Sequence, residues 1–244
     1  MESEKDVNRN YLLIYSIAIT FYVIAFIYWF VPDLDKNIVV AHNGVYHNEF
    51  LLRFFTFASD YGLSLMLIIY SGLLFYQLKE SDSIEKDSLF FIMVILSVFI
   101  AGAAGDISKL FIGRERPVVD LAGLIERTIP YKTLSFPSGH TTKAVALALP
   151  FIFIDIKNIR YLNFFRIIIL IIAVLVAYSR IAIQAHYPSD VMGGIGTAFF
   201  FLPLAFIVGD KVQRYCMEDD DGEKKVLISI LIIFMILAVL DLFA

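Results

Sequence analysis

The chain has 244 residues, 59% of them hydrophobic, a formal net charge of −4 and a mean hydropathy of +0.76. So apolar a composition exceeds what a soluble domain needs and points to membrane helices, while the acidic balance leaves no basic face for nucleic acid. The single cysteine, Cys216, excludes an internal disulfide and any multi-thiolate metal site.

Residues 1–10 are polar and mixed in charge. Residues 11–32 form an uncharged run of 22 residues ending at Pro32, longer than a signal-peptide core, and are expected to be a retained first span. Residues 33–53 read as a polar loop carrying Asp33, Asp35, Lys36, His42, His47, Glu49 and Arg53. A second span is expected at about 54–78, with Asp60 near its start, followed by a charged turn. The third, about 89–112, carries Asp106 and Lys109 and stops at Gly113, a plausible C-cap. A polar connection covers 114–136. The fourth span starts at Ser138 or Gly139 and ends near Asp155, and Lys157, Arg160 and Arg166 mark the next turn. The fifth covers about 161–183 and the sixth about 190–209. A charged linker, 210–225, with an acidic run at Glu218–Asp221, leads to a shorter apolar run, 226–240, long enough to span with little tilt. The fold class expected is all-α: a polytopic transmembrane helical bundle of six core spans plus a seventh at the C-terminus. With no repeat, low-complexity tract or linker, residues 1–244 read as one membrane-embedded domain, its chemistry in 109–190.

Three stretches carry chemistry, and helix parity puts all of them on one membrane face. With the N-terminus cytoplasmic, eleven of the twenty Lys and Arg fall on the cytoplasmic side. Setting aside Lys109, Arg116 and Arg180 as chemical residues leaves eleven against six, so the positive-inside rule places the motif face outside the cytoplasm. The first stretch pairs Lys109 with Arg116, seven residues on, about two helical turns away on one face. Pro117 prevents the helix from continuing. Cations at the hydrocarbon boundary either face an anion or snorkel to headgroups. Arg offers a fork for two phosphate oxygens and Lys a point charge. Arg114 and Glu115 read as surface or supporting groups, and Asp106 as an ion-pair partner for Lys109.

In Pro137-Ser138-Gly139-His140, Ser138 is a natural N-cap. The first-turn N–H groups and the helix dipole favour an anion there. Gly139 permits close backbone approach, and His140 stands within reach of an ester oxygen. Thr141 and Thr142 read as helix-start residues and Lys143 as a headgroup contact. In the third stretch Arg180 lies near a span exit. Pro188 breaks the helix, leaving His186 on a turn with Asp190 at the next helix start. Asp190 can fix the His186 tautomer and free its other nitrogen for attack; the bland alternative is a capping carboxylate beside an interfacial histidine. His42 and His47 read as loop residues, and no metal-binding cluster is evident.

The pattern Lys109-x6-Arg116-Pro117, Pro137-Ser138-Gly139-His140 and Ser179-Arg180-x5-His186-x3-Asp190 resembles the three signatures of the type 2 phosphatidic acid phosphatase superfamily. The resemblance implies an integral-membrane lipid phosphatase. His186 would be the nucleophile, Asp190 its orienting group, and His140 the acid and then the base. Lys109, Arg116, Ser138, Gly139 and Arg180 would hold the phosphate oxygens. It implies no metal and no cofactor. The expected partners are a phosphorylated lipid and the bilayer, and the expected location is the outer face of the cytoplasmic membrane. The leading substrate is a polyprenyl diphosphate. Phosphatidylglycerol phosphate, phosphatidic acid and lipid A 1-phosphate are alternatives, with Arg127 and Lys132 available to a second phosphate. Phosphotransfer to an acceptor alcohol is a second enzymatic reading, and an anionic-lipid transporter or binding protein the non-enzymatic one.

Overall fold

The computed structural model describes residues 2–31, 33–80, 85–127, 134–154, 162–216 and 220–242. Its helices in chain order are α1 (Glu2–Phe30), α2 (Leu34–Ala41), α3 (Asn43–Tyr46), α4 (Glu49–Glu80), α5 (Glu85–Ile112), α6 (Pro117–Asp120), α7 (Gly139–Phe153), α8 (Leu162–Ala182), α9 (Pro188–Cys216) and α10 (Asp220–Leu242). The expected all-α bundle is what forms. The helices α1, α4, α5, α8 and α9 are each long and apolar enough to cross a bilayer, which makes this a multi-pass membrane protein.

Two of the seven expected spans are shorter than these five among the described residues. The expected fourth span, α7, has 15 residues, short of bilayer length. The apolar part of α10, Lys225–Leu240, is likewise a short segment within a longer helix. The polar stretch 33–53 is not a loop but holds α2, α3 and the first turn of α4. The turn and linker charges at 85–88 and 210–216 are taken up into α5 and α9. Lys132, Asp155, Lys157, Arg160 and Glu218 lie outside the described residues.

The short helix α7 is the centre of the bundle, packed against α5, α8, α9 and α4. Its lipid-free position is visible in the unbroken burial of Ala146–Phe151. Pro150 lies inside it and has no N–H to give the Ala146 carbonyl. Ser97 of α5 fills that vacancy, donating its hydroxyl to the Ala146 oxygen at 2.8 Å. Beside it Tyr70 of α4 donates to the Leu147 oxygen at 2.5 Å, its ring against Phe90, Phe151 and Phe234. Within a bilayer there is no hydrophobic drive between helices, so such close packing and interhelical hydrogen bonds hold them together. A second apolar cluster joins Ile14, Ala101, Ala146, Leu149, Ala198 and Leu202, tying α1, α5, α7 and α9. The result fixes the N-terminus of α7 at one end of the bundle, between the ends of α5 and α8 and the start of α9.

Candidate active site

The first motif reaches the site by a turn, not along one helix. Helix α5 ends at Ile112; Gly113 follows with φ +66°, its N–H on the Lys109 oxygen at 2.9 Å. A left-handed residue closing a helix is the role glycine takes without a Cβ penalty. Arg116 then has extended backbone, φ −85° and ψ 158°, ahead of α6. Lys109 therefore hangs from the last turn of α5, while Arg116 arrives from the chain beyond it. This corrects the expectation of two turns on one face, yet the charges of both cations act on the His186 ring. Lys109 Nζ contacts Asp106 Oδ1 at 2.7 Å and lies 3.1 Å from where a Cβ on Gly139 would sit. Arg116 Nη1 lies 3.0 Å from His186 Nε2 and 3.1 Å from the Ala185 oxygen.

The second motif is clamped to the other two through backbone. Ser135 N–H donates to the Arg114 oxygen at 2.8 Å, and Ser138 N–H to the Asp190 oxygen at 2.9 Å. Gly194 of α9 allows this approach, since a Cβ there would stand 2.9 Å from the Ser138 oxygen. Ser138 occupies the N-cap position of α7 but makes no capping hydrogen bond. Its hydroxyl instead accepts from Thr141 Oγ1 at 3.0 Å, while Thr142 Oγ1 bonds the Ser138 carbonyl at 2.9 Å. The first-turn amides of α7 thus keep their capacity for another acceptor. His140 is half-buried and makes no hydrogen bond among the described residues. Arg180, Lys143 and Arg116 are close enough for their charges to act on its ring.

The third motif supplies a buried Arg and a buried His. Arg180, in the last turn of α8, donates to the Ser59 hydroxyl of α4. Its carbonyl accepts the N–H groups of Ala185 and His186, at 2.9 and 3.0 Å, folding the chain back into the bundle. Arg116, Arg180, His186 and Asp190 are all at most 6% exposed. The hydrogen bonds settle the His186 tautomer. Arg116 has only donors, so Nε2, at 3.0 Å from it, presents a lone pair. The neutral ring then carries its proton on Nδ1, which faces Asp190 Oδ2 at 3.3 Å. Burial first, and the charges of Arg116, Arg180 and Lys109 next, hold His186 well below the usual histidine range. The ring is neutral and its lone pair points among cations.

The residue that sequence reasoning missed is Arg114. Read as a surface or supporting group, it lies partly buried between two rings, 4.3 Å from the Trp29 centroid and 4.0 Å from that of Tyr187. Its Nη1 donates to Asp190 Oδ1 at 2.8 Å and to Ser189 Oγ at 2.5 Å, and its Nη2 to Asp35 Oδ2 at 2.8 Å. Asp35, buried on α2, also accepts the Ser189 N–H at 3.0 Å and the Ser189 hydroxyl. Ser135 adds a 2.5 Å hydrogen bond to Asp190 Oδ2. The only sequence signal was a third basic residue between Lys109 and Arg116. Arg127, expected to meet a second phosphate, spends Nη1 on the Ile183 oxygen at 3.1 Å and its N–H on Gln184 Oε1 at 3.2 Å. His42 bonds the Ile38 oxygen at 2.7 Å and Tyr178 at 3.1 Å, and His47 faces Glu126 at 3.8 Å.

Comparison with known proteins gives the family and the fold. The family model described as the PAP2 superfamily matches residues 90–214. Phosphatidylglycerophosphatase B of Bacillus subtilis is 30% identical over 65% of this chain and 72% of its own length. Lipid A 4'-phosphatase of Porphyromonas gingivalis is 29% identical over 76% of this chain and 74% of its own. Undecaprenyl-diphosphatase BcrC of Bacillus subtilis is 26% identical over 75% of this chain and 88% of its own. The fold matches the crystal structure of a transmembrane PAP2 type phosphatidylglycerolphosphate phosphatase from Bacillus subtilis, with a TM-score of 0.56 at 24% identity, covering 79% of this chain and 94% of that one.

Proposed function

The chain belongs to the PAP2 superfamily, and from that premise we propose that it is a lipid phosphatase working through a phosphohistidine on His186. The observation that carries the reading is the Nε2 lone pair of a buried, neutral His186 held in a pocket of cations, with Nδ1 turned to Asp190. Phosphate binding draws Arg116 from Nε2 onto the phosphate oxygens, where Lys109, Arg180, the Ser138 hydroxyl and the α7 amides join it. Gly139 leaves room for Lys109 Nζ over the helix start.

His186 Nε2 attacks phosphorus as the bond to the leaving oxygen breaks, its electron pair going to that oxygen. His140 gives that oxygen a proton; the negative charge of the bound phosphate favours the protonated ring. Asp190 stabilises the positive charge on the phosphorylated imidazole. A water then loses a proton to His140 and attacks phosphorus, and the P–N bond breaks to return the pair to Nε2. The equatorial charge is met by side-chain cations and a helix start, so these steps need no metal.

The substrate proposed is a polyprenyl diphosphate, whose terminal phosphate is reached without a large specificity domain. Phosphatidylglycerol phosphate is the second reading, favoured by the 30% identical relative named for it. The Lys and Arg distribution supports a site on the extracytoplasmic side of the cytoplasmic membrane. The test is phosphate release by detergent-purified protein from these lipids in competition, with a rapid quench. An acid-labile, alkali-stable phosphoprotein that vanishes together with phosphate release in His186→Ala is expected; full release without His186 ends the assignment.

A further inference from the structure

Below the cation pocket a groove of about 460 Å³ opens between α4, α5, α7 and α10. Its polar end is made by Asp106 and Lys143; its remainder is apolar, with Leu63, Phe99, Leu237 and Leu240 among the walls. Asp106 holds Lys109 at 2.7 Å, and the Lys143 stem lies 3.5 Å from where a Cβ on Gly102 would sit. Lys143 follows His140 by three residues on α7, close to one helical turn. The polar end therefore abuts two residues of the phosphate site. From Asp106 to Val98 along α5 the groove descends ~12 Å at the helical rise. Phe99 and Leu240 are each at least half exposed, so its side is open to the lipid phase.

We infer that this groove seats the hydrocarbon chain of the substrate next to its head group, and that α10 sets which chains fit through Leu237 and Leu240. The inference rests on the phosphatase reading. A ligand with a phosphate at one end and an apolar chain at the other matches a cationic pocket that continues into an apolar groove. The family match spans residues 90–214, and α10, which forms this wall, follows it at Asp220–Leu242. Gly102 and the small Ala103 keep the α5 side low, so the bulk of the opposite wall decides the width.

The test compares long-chain and short-chain forms of one head group, undecaprenyl against farnesyl diphosphate and dioleoyl against dihexanoyl phosphatidic acid. Full-length protein carries Leu240→Trp, which narrows the open edge, or Leu237→Ala, which widens the floor. Leu240→Trp is expected to raise KM for the long-chain form about tenfold more than for the short-chain form, equivalent to ~1.4 kcal/mol. Leu237→Ala should change the same ratio by a smaller factor in the opposite sense. Equal changes for both forms, or none, would overturn the groove assignment while leaving the phosphatase reading intact. No phosphate release by the unmodified protein from any of the four lipids would instead overturn the phosphatase reading itself. Leu240 is exposed and Leu237 is half-buried against the core, and a retained kcat on the short-chain form shows that both variants fold.

Discussion

On the His186 side of the site, Arg114, Ser135 and the Tyr187 N–H all reach the two carboxylate oxygens of Asp190, which in turn faces the His186 ring. On the His140 side, the ring has no hydrogen bond among the described residues, and the nearby Lys109 leans on an exposed Asp106. The difference follows from what each wall does in the proposed reaction. A nucleophile must be held in one tautomer and one line of attack, because misplacement costs rate steeply. An acid that becomes a base must follow two different oxygens in turn, and a ring fixed on both nitrogens does this poorly. One wall is thus determined before substrate arrives; the other is completed by it.

The largest effect should come from disturbing the fixed wall at Asp190. Asp190→Asn keeps the shape but can present an amide N–H to His186 Nδ1. That reverses the tautomer, moving the proton to Nε2 and removing the lone pair. We expect kcat to fall about ten-thousandfold, the scale seen when an orienting carboxylate is neutralised beside a catalytic histidine. KM should change little, because the cations that bind phosphate remain. A loss below about tenfold would show that the wall is not set by Asp190.

Next comes Arg114. Removing it leaves Asp190 and Asp35 buried with a shared partner gone, the situation in which one half of a buried ion pair is most costly. Arg114→Ala should lower kcat on the order of a hundredfold with KM within a few-fold, and should lower the melting temperature. Arg114→Lys returns the charge without the planar fork or the stack between Trp29 and Tyr187, so it should recover less than tenfold of the loss. Full recovery by Lys would mean that charge alone matters and that the two walls differ less than their geometry says.

What the sequence made legible divides along the same line. Residues with chemistry of their own stood out by type and spacing: two histidines, an aspartate four residues after one of them, and cations at helix ends. Apolar run length gave the bundle. Supporting groups were not legible, because their meaning lies in contacts between distant parts of the chain. Arg114 meets Asp35 across 79 positions and Asp190 across 76, and nothing local to Asp35 marks it off from other loop acids. Arg116 was read on the wrong element because spacing of seven fits a helix face, while Gly113 turns the chain before that face is complete. The central position of α7 was not legible, because hydropathy cannot tell a helix buried among others from one that faces lipid.

The smallest effect separates the two walls by their protons. The proposed reaction needs His186 unprotonated and, once phosphate is bound, His140 protonated, so the rate has an acid limb belonging to the first and an alkaline limb belonging to the second. His186 is held well below the ordinary histidine value of 6.5 by burial and then by Arg116, Arg180 and Lys109. A histidine with its pKa lowered gains a proton only at more acid pH, so the loss of kcat/KM on acidification is displaced downward. An unshifted imidazole would be about one quarter neutral at pH 6; here kcat/KM at pH 6 should keep well over half of its value at pH 7. Arg116→Gln removes one of the cations, raises the His186 pKa and moves the acid limb upward, alongside a weaker grip on phosphate. Were that limb to stay in place in Arg116→Gln while the alkaline limb moved, the roles of the two histidines would have to be exchanged.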